Sequence, residues 1–266
     1  MIAVIFGGFG LIIGSFLNVL ILREGTRDLG GRSECMRCKE QLTWRDLIPV
    51  FSWLVLRGRC RHCKAHISMQ YPLVEAGTAA LFILIGMSPL MLFQAVVACV
   101  FVSLLIAITV YDLQHLLIPD RWSYGFGVLA LLYALLQTPQ EGLLLLIFAG
   151  PACALPLAAL WFVSKGRWMG LGDAKLCLGI GWLLGPVMGL YAVLGAFIIG
   201  AVVSVCILIP LSHVQTFLRR RGITVLSSGS QTFTMKSEIP FGPFLIASCL
   251  ILWFLSVYGV TLPLLI

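Results

Sequence analysis

Charged residues are scarce in this chain. Asp, Glu, Lys and Arg make up 11% of its 266 residues, whereas apolar residues make up 60%. Soluble domains carry about 25% charged residues, so the composition excludes an ordinary water-soluble domain and indicates that lipid surrounds most of the chain. A basic region before the first apolar run is missing, and no small-x-small cleavage site follows that run. We therefore expect the first apolar segment to be a retained membrane span and not a cleaved signal peptide.

Apolar stretches of about 20 residues can cross a bilayer as helices, and their number predicts an all-α polytopic membrane protein with about eight transmembrane helices. The stretches are 2–22, 72–87, 90–111, 122–138, 142–164, 174–187, 188–211 and 241–265. Gly185-Pro186 either separates the sixth from the seventh or kinks one long helix. The chain thus divides into a first helix (1–22), a polar insert (23–71) and a helical membrane domain (72–266).

Basic residues are confined to alternate connections between these stretches. The insert holds ten of the eighteen Lys and Arg residues, and the connections near 87–89, 137–142 and 185–186 hold none. With eight spans, all eighteen lie on one side of the membrane. Short basic loops stay in the cytoplasm, so we expect a cytoplasmic insert. Clustering beside the spans favours membrane lipids as the partner of these cations, and we expect no nucleic acid partner.

Four of the nine cysteines are paired in the insert, as Cys35, Cys38, Cys60 and Cys63. Two C-x2-C pairs separated by 21 residues are typical of a four-thiolate zinc site, and a reducing compartment favours metal-bound thiolates over disulfides. A redox pair or a chance spacing is the alternative. Because four thiolates leave no open position on zinc, we expect a structural, zinc-ribbon-like insert. Basic neighbours can offset the charge of the thiolates, namely Arg37, Lys39, Arg59, Arg61 and Lys64.

Two aspartates lie at span ends that the predicted topology puts on the same side of the membrane. Asp112 ends the third span and Asp173 precedes the sixth. Acidic residues beside spans are costly and indicate function. Two neighbouring carboxylates share a proton, so that one can activate water while the other polarises a carbonyl, as in aspartic peptidases. Helix caps or ion pairs are the structural alternative, for example Asp173 with Lys175 or Asp120 with Arg121.

The sequence around the aspartates resembles the bacterial type IV prepilin peptidases. Asp112 is followed after five residues by Ile-Pro-Asp, which ends at Asp120, and Asp173 follows Gly170 and Gly172 in Gly-x-Gly-Asp. These glycines allow the close approach of an extended peptide. Other segments match the family in the same order: 14–19, 47–53, 57–60, 71–75 and 239–244. Met36 stands where the family usually has proline, and 23–25 lacks the proline that usually follows the arginine.

The resemblance implies a bacterial inner-membrane enzyme that cuts leader peptides from prepilins and pseudopilins of pilus and secretion systems at the cytoplasmic face. Asp112 and Asp173 take the catalytic positions, while Asp120 caps the fourth span and Lys175 belongs to the supporting motif. Many family members also methylate the new N-terminus with S-adenosylmethionine. Gly58 and Glu75 are candidate contacts for that cofactor, although Glu75 can equally pair with Arg23.

Two other functions fit parts of the sequence. A presenilin-type intramembrane protease shares Gly-x-Gly-Asp, but it places its aspartates deep in the bilayer and gives no reason for the four cysteines. A non-enzymatic zinc-ribbon scaffold would use the aspartates only structurally. Replacing Asp112 or Asp173 by Asn separates a peptidase from a scaffold. The oligomeric state stays open.

Overall fold

The computed structural model describes residues 1–25, 30–137, 142–208 and 240–260. Its α-helices in these ranges are α1 (Ile2–Arg23), α2 (Phe51–Val55), α3 (Gln70–Met87), α4 (Leu92–His115), α5 (Asp120–Leu135), α6 (Leu143–Ser164), α7 (Leu171–Val203) and α8 (Gly242–Val257). A 3-10 turn covers Trp44–Leu47, and a π-helical turn covers Ser204–Leu208. The basic residues of loop 212–240 lie outside the described residues.

The helical membrane architecture is confirmed. Five helices are long and apolar enough to cross a bilayer: α1, α3, α4, α6 and α7 with the turn that follows it. Two others, α5 and α8, have 16 residues each, which is about 24 Å of helix against a hydrocarbon core of about 30 Å. The described residues contain no β-strand, only two isolated bridges within the insert.

The long helix α7 reverses its direction at Gly185. This residue has φ +79° and ψ 173°, which a residue with a side chain rarely adopts, and the following Pro186 has no backbone N–H to donate. A Cβ on Gly189 would lie 3.2 Å from Cα of Gly181, although residues eight apart are separated by about 12 Å in a straight helix. The segments 171–184 and 186–203 therefore fold back on each other.

Several helix ends gather at one edge of the bundle, where polar side chains join them. Arg121 at the start of α5 donates to Glu24 after α1 at 2.6 Å. Gln114 near the end of α4 donates to Gln70 at the start of α3, and Lys175 in the first turns of α7 donates to Asp120 of α5 (2.7 and 2.8 Å). We call this the polar edge. The insert joins the bundle here because α1 ends and α3 begins at this edge.

The helices pack around α7. Helices α5, α6 and α8 all pack against it, α1 packs on α3, and α4 contacts both groups. The interior below the polar edge contains T-shaped pairs of Phe101 with Phe126, Tyr133 and Trp253. Close-packed interiors resist displacement, so this core provides a rigid support for the side chains at the polar edge.

Candidate active site and metal centre

Asp112 lies in the last turn of α4, near the polar edge. Its side chain is only 4% exposed, and its Oδ2 atom has no hydrogen-bond partner among the described residues. Burying such a group is costly, and a carboxylate close to a helix C-terminus is also unfavourable for the helix dipole. The position of Asp112 therefore costs stability, which is common at functional sites.

Asp173 lies in the first turn of α7 and is 8% exposed. The amino end of a helix favours a carboxylate, so the two aspartates have opposite local environments. Ile118 lies against the backbone beside both residues, at Gly172 next to Asp173 and at Gly242 next to Asp112. Gly170 precedes α7 in an extended conformation, and a Cβ there would lie 3.8 Å from Oδ2 of Asp173. The structure thus brings the two predicted residues together.

Two glycines allow close contact around the aspartates. A Cβ on Gly242, the first residue of α8, would lie 2.6 Å from Oδ2 of Asp112 and 3.2 Å from Cδ1 of Ile118. A Cβ on Gly172 would lie 3.1 Å from Cβ of the same Ile118. Sequence reasoning assigned no role to Gly242, although it lies in one of the segments (239–244) that carry the family resemblance.

The predicted capping role of Asp120 is wrong. The residue before α5 is Pro119, and Asp120 is the first helical residue, without a side-chain capping bond. Its carboxylate instead binds Lys175 through both oxygens. The alternative ion pairs are also wrong, because Lys175 contacts Asp120 and not Asp173, while Arg121 contacts Glu24. The ion pair joins the start of α5 to the first turns of α7.

The depth of the aspartates separates two of the functions considered above. Asp112 is three residues from the end of the 24-residue α4, and Asp173 is the third residue of α7. Both lie within about one helical turn of the polar edge. A presenilin-type protease, with aspartates deep in the bilayer, does not fit this geometry.

The four cysteines of the insert come together. Their sulfur atoms all lie within 4.8 Å of one another, and Sγ of Cys35 is 3.8 Å from Sγ of Cys63. A tetrahedral zinc with Zn–S bonds of about 2.3 Å has sulfur–sulfur edges of about 3.8 Å. Backbone N–H groups of Cys38 and Arg37 lower the pKa of the Cys35 thiol, which favours the thiolate that binds metal. The residues therefore fit zinc.

Each C-x2-C pair is a small hairpin with the same hydrogen bonds. The N–H of Lys39 donates to the carbonyl of Cys35, and that of Lys64 donates to the carbonyl of Cys60. Both lysines have φ near +60°, a left-handed backbone conformation that residues other than glycine rarely adopt. The repeated backbone geometry orients both sulfur pairs toward one centre.

The charges around the cysteines differ from the expected arrangement. Lys39 pairs with Glu34 at 3.4 Å, and Arg61 pairs with Asp46 at 2.8 Å. Burial disfavours the charged Asp46, but hydrogen bonds from Thr43 and Arg61 outweigh it and lower the pKa of this carboxyl. These two cations are therefore partly neutralised by carboxylates and are less available to offset the thiolates.

The two cofactor candidates have other roles in the structure. Glu75 is buried in α3 and accepts a hydrogen bond from the backbone N–H of Val50 at 2.6 Å. Gly58 has φ +65°, and a Cβ there would lie 2.7 Å from the ring of Trp53. The assignment of Gly58 and Glu75 to cofactor binding stays a prediction.

Comparison with known proteins identifies the family. Residues 9–88 match the bacterial peptidase A24 N-terminal domain, and residues 99–205 match the type IV leader peptidase family. No solved structure matches the chain.

Curated relatives cover most of the chain. A prepilin leader peptidase/N-methyltransferase from Aeromonas salmonicida is 30% identical over 89% of this chain and 85% of its own length. One from Bacillus subtilis is 36% identical over 73% and 78%. The type 4 prepilin-like proteins leader peptide-processing enzyme from Escherichia coli O78:H11 is 34% identical over 66% and 75%. With these matches along its length, the chain belongs to the type IV leader peptidase family and is a peptidase.

Proposed function

We propose that this chain is a membrane aspartic endopeptidase that removes leader peptides from type IV prepilins and pseudopilins. The observation that carries the proposal is the pair of buried carboxyl groups of Asp112 and Asp173, which lie on either side of Ile118 at the polar edge. The neighbouring Lys175 is engaged by Asp120, so it does not neutralise the pair. The names of the relatives supply the substrate class.

The proposed mechanism needs one ionised and one protonated carboxyl group. The ionised aspartate takes a proton from a water molecule as the water oxygen attacks the scissile carbonyl carbon, and the protonated aspartate donates its proton to the carbonyl oxygen. As the C–N bond of the tetrahedral intermediate then breaks, one aspartate donates its proton to the leaving amine. The other accepts a proton from a hydroxyl group of the intermediate, which becomes the carboxyl product and leaves the pair with one proton again. The close approaches at Gly172 and Gly242 keep the two carboxyl groups in position.

We propose that the helices cross the bacterial inner membrane eight times, with the polar edge in the cytoplasm. The reversal at Gly185 supports two crossings within α7, and α5 and α8 supply two more. This arrangement leaves all eighteen Lys and Arg residues on the cytoplasmic side, as short basic loops require. The prepilin would then be cleaved at the point where it enters the membrane.

We propose two further properties of the insert and the reaction. Zinc bound by Cys35, Cys38, Cys60 and Cys63 has a structural role, because the complete thiolate shell leaves no position for substrate. N-methylation with S-adenosylmethionine follows from the names of the relatives. Gly58 and Glu75 are the residues that we propose to contact that cofactor.

Single and double substitutions test the aspartic mechanism. Purified Asp112→Asn, Asp173→Asn and the double variant are incubated with a prepilin, and cleavage is followed by mass spectrometry. Each single change should abolish cleavage almost as completely as the double change, because the pair acts as one unit. Asp120→Asn is the matched control, since it also changes a carboxylate at the polar edge. A single variant that cleaves near the wild-type rate, with unchanged zinc content, would remove that residue from the mechanism.

A further inference from the structure

One side of the insert carries cations that have no acidic partner in the described part of the chain. Arg57, Arg59 and Lys64 are exposed and line a cavity of about 370 Å³ together with Leu56 and Cys60. Among the described residues none of the three forms an ion pair, in contrast to Lys39 and Arg61 in the same insert. The cavity therefore presents three positive charges to an anion.

Beside this cavity, α2 leaves an apolar face uncovered. Phe51, Leu54 and Val55 are 61%, 60% and 61% exposed, and their spacing of three and four residues puts them on one side of the helix. The other side packs on the insert, where Trp53 is half-buried and its indole N–H donates to the carbonyl of Ile67 at 3.2 Å. The short helix is thus amphipathic, with its apolar face directed away from the insert.

A hydrogen bond fixes α2 at the level of the membrane surface. Val50 immediately precedes α2, and its N–H donates to Glu75 of α3. Glu75 lies five residues after the start of this membrane-spanning helix at Gln70, about 7.5 Å along the axis. The beginning of α2 therefore lies beside the membrane end of α3 and not out in solution.

We infer that the apolar face of α2 and the basic cavity form a docking surface for anionic phospholipid headgroups of the adjacent leaflet. Helices with this charge pattern lie in the interface, with apolar side chains at the headgroup–acyl boundary and cations at the phosphates. Neutralisation of the cysteine thiolates would account for cations near Cys60, but it gives no reason for three exposed apolar residues beside them. The inference depends on the membrane location of the chain and not on its peptidase mechanism.

Lipid binding by the full-length protein tests this surface. The protein is placed in nanodiscs of phosphatidylcholine alone or with phosphatidylglycerol, and backbone hydrogen exchange of residues 51–64 is measured. Anionic nanodiscs should slow exchange there. Native mass spectrometry should show preferential retention of phosphatidylglycerol. The variant Arg57→Gln/Arg59→Gln/Lys64→Gln should lose this preference by on the order of tenfold or more, since each cation contributes about 1 kcal/mol near an anionic surface.

Controls distinguish the surface from general charge. Arg32→Gln/Arg37→Gln/Arg45→Gln removes the same charge from exposed positions outside the cavity and should change the preference less than the cavity variant. An equal loss in both variants, or equal exchange in neutral and anionic nanodiscs, would overturn the inference. So would protection by inorganic phosphate in neutral nanodiscs, which would indicate a site for free phosphate. If the triple variant loses zinc, Arg57→Gln, three residues before Cys60, replaces it.

Discussion

Lys175 is only two residues from Asp173 along α7, yet both of its short contacts are with the carboxylate of Asp120. Among the described residues, this pairing leaves Asp112 and Asp173 without a cation between them. In the ion pair of Lys175 with Asp120, the side chain of Asp120 is 59% exposed. An exposed ion pair of this kind contributes at most about 1 kcal/mol to stability.

We therefore expect Asp120→Asn to have a small effect. The free energy of unfolding should fall by no more than about 1 kcal/mol, and cleavage should stay within a few-fold of the wild-type rate because the residue does not contact the dyad. Thermal unfolding in detergent and prepilin cleavage measure the two effects. A loss of activity as large as that of Asp173→Asn would show that Asp120 takes part in the reaction.

Gly242 controls the position of Asp112 more directly. In Gly242→Ala, the added methyl group would meet Oδ2 of Asp112 at 2.6 Å and displace the carboxyl group. A displacement of about 1 Å at a reacting group costs on the order of 100-fold in rate, so we expect a loss of cleavage of that size with normal zinc content. Gly77→Ala is the matched control, because a Cβ there meets no atom within 4 Å. Equal activity of both variants would contradict this role.

The folding of the insert depends on its two cysteine hairpins. The described part of the insert contains one 3-10 turn and one five-residue helix, too little regular structure to fold without a metal. Cys35→Ser/Cys60→Ser should therefore remove about one equivalent of zinc and make residues 30–69 sensitive to limited proteolysis. Cys206→Ser, at an exposed cysteine after α7, should change neither zinc content nor proteolysis. Full zinc occupancy in the double variant would disprove the site.

The connection between the insert and α3 depends on an unusual turn. Val50 has φ +60° and ψ −49°, and the N–H of Phe51 donates back to the carbonyl of Pro49. This is a classic γ-turn, which is rare and strained, particularly for a β-branched residue. The hydrogen bond from Val50 to Glu75 holds the strained backbone in place.

A rescue experiment tests this connection. Glu75→Leu should speed hydrogen exchange in residues 44–56, because the strained turn loses its acceptor, whereas Glu75→Gln keeps an acceptor oxygen and should have a smaller effect. Val50→Gly in the Glu75→Leu background should restore part of the protection, since glycine adopts positive φ at about 1 kcal/mol lower cost. If Val50→Gly instead increases exchange further, the strain is not what Glu75 opposes.

Patterns along the chain predicted much of this molecule. The apolar stretches predicted most helix ends to within a few residues, and the cysteine spacing predicted the cluster of four sulfur atoms. Both predictions depend on local periodicity and short loops. The partners of Asp120 and Glu75 could not be predicted. Asp120 is joined to a residue 55 positions away and Glu75 to a residue 25 positions away. Such contacts depend on how helices pack. The role of Gly242 has the same origin, since only the packed structure brings α8 onto Asp112.

At the scale of the whole molecule, the clustering of helix ends at the polar edge sets the topology. Helices α1 and α4 end there and α3, α5 and α7 begin there, joined by the contacts of Arg121, Gln114 and Lys175. In the proposed topology, which rests on the distribution of Lys and Arg, this edge faces the cytoplasm. Helix α5 begins at the polar edge and ends at Leu135, so the connection after it should face the periplasm.

Reporter fusions test this topology. Alkaline phosphatase, active only in the periplasm, should be active when fused after Gln137 and inactive when fused after Gly166, because α6 returns the chain to the polar edge. A cytoplasmic reporter such as green fluorescent protein should give the opposite pattern at the same two positions. Alkaline phosphatase activity at Gly166 would put Asp173 and the start of α7 on the periplasmic side. That result would contradict the cytoplasmic dyad even if both aspartates proved essential for cleavage.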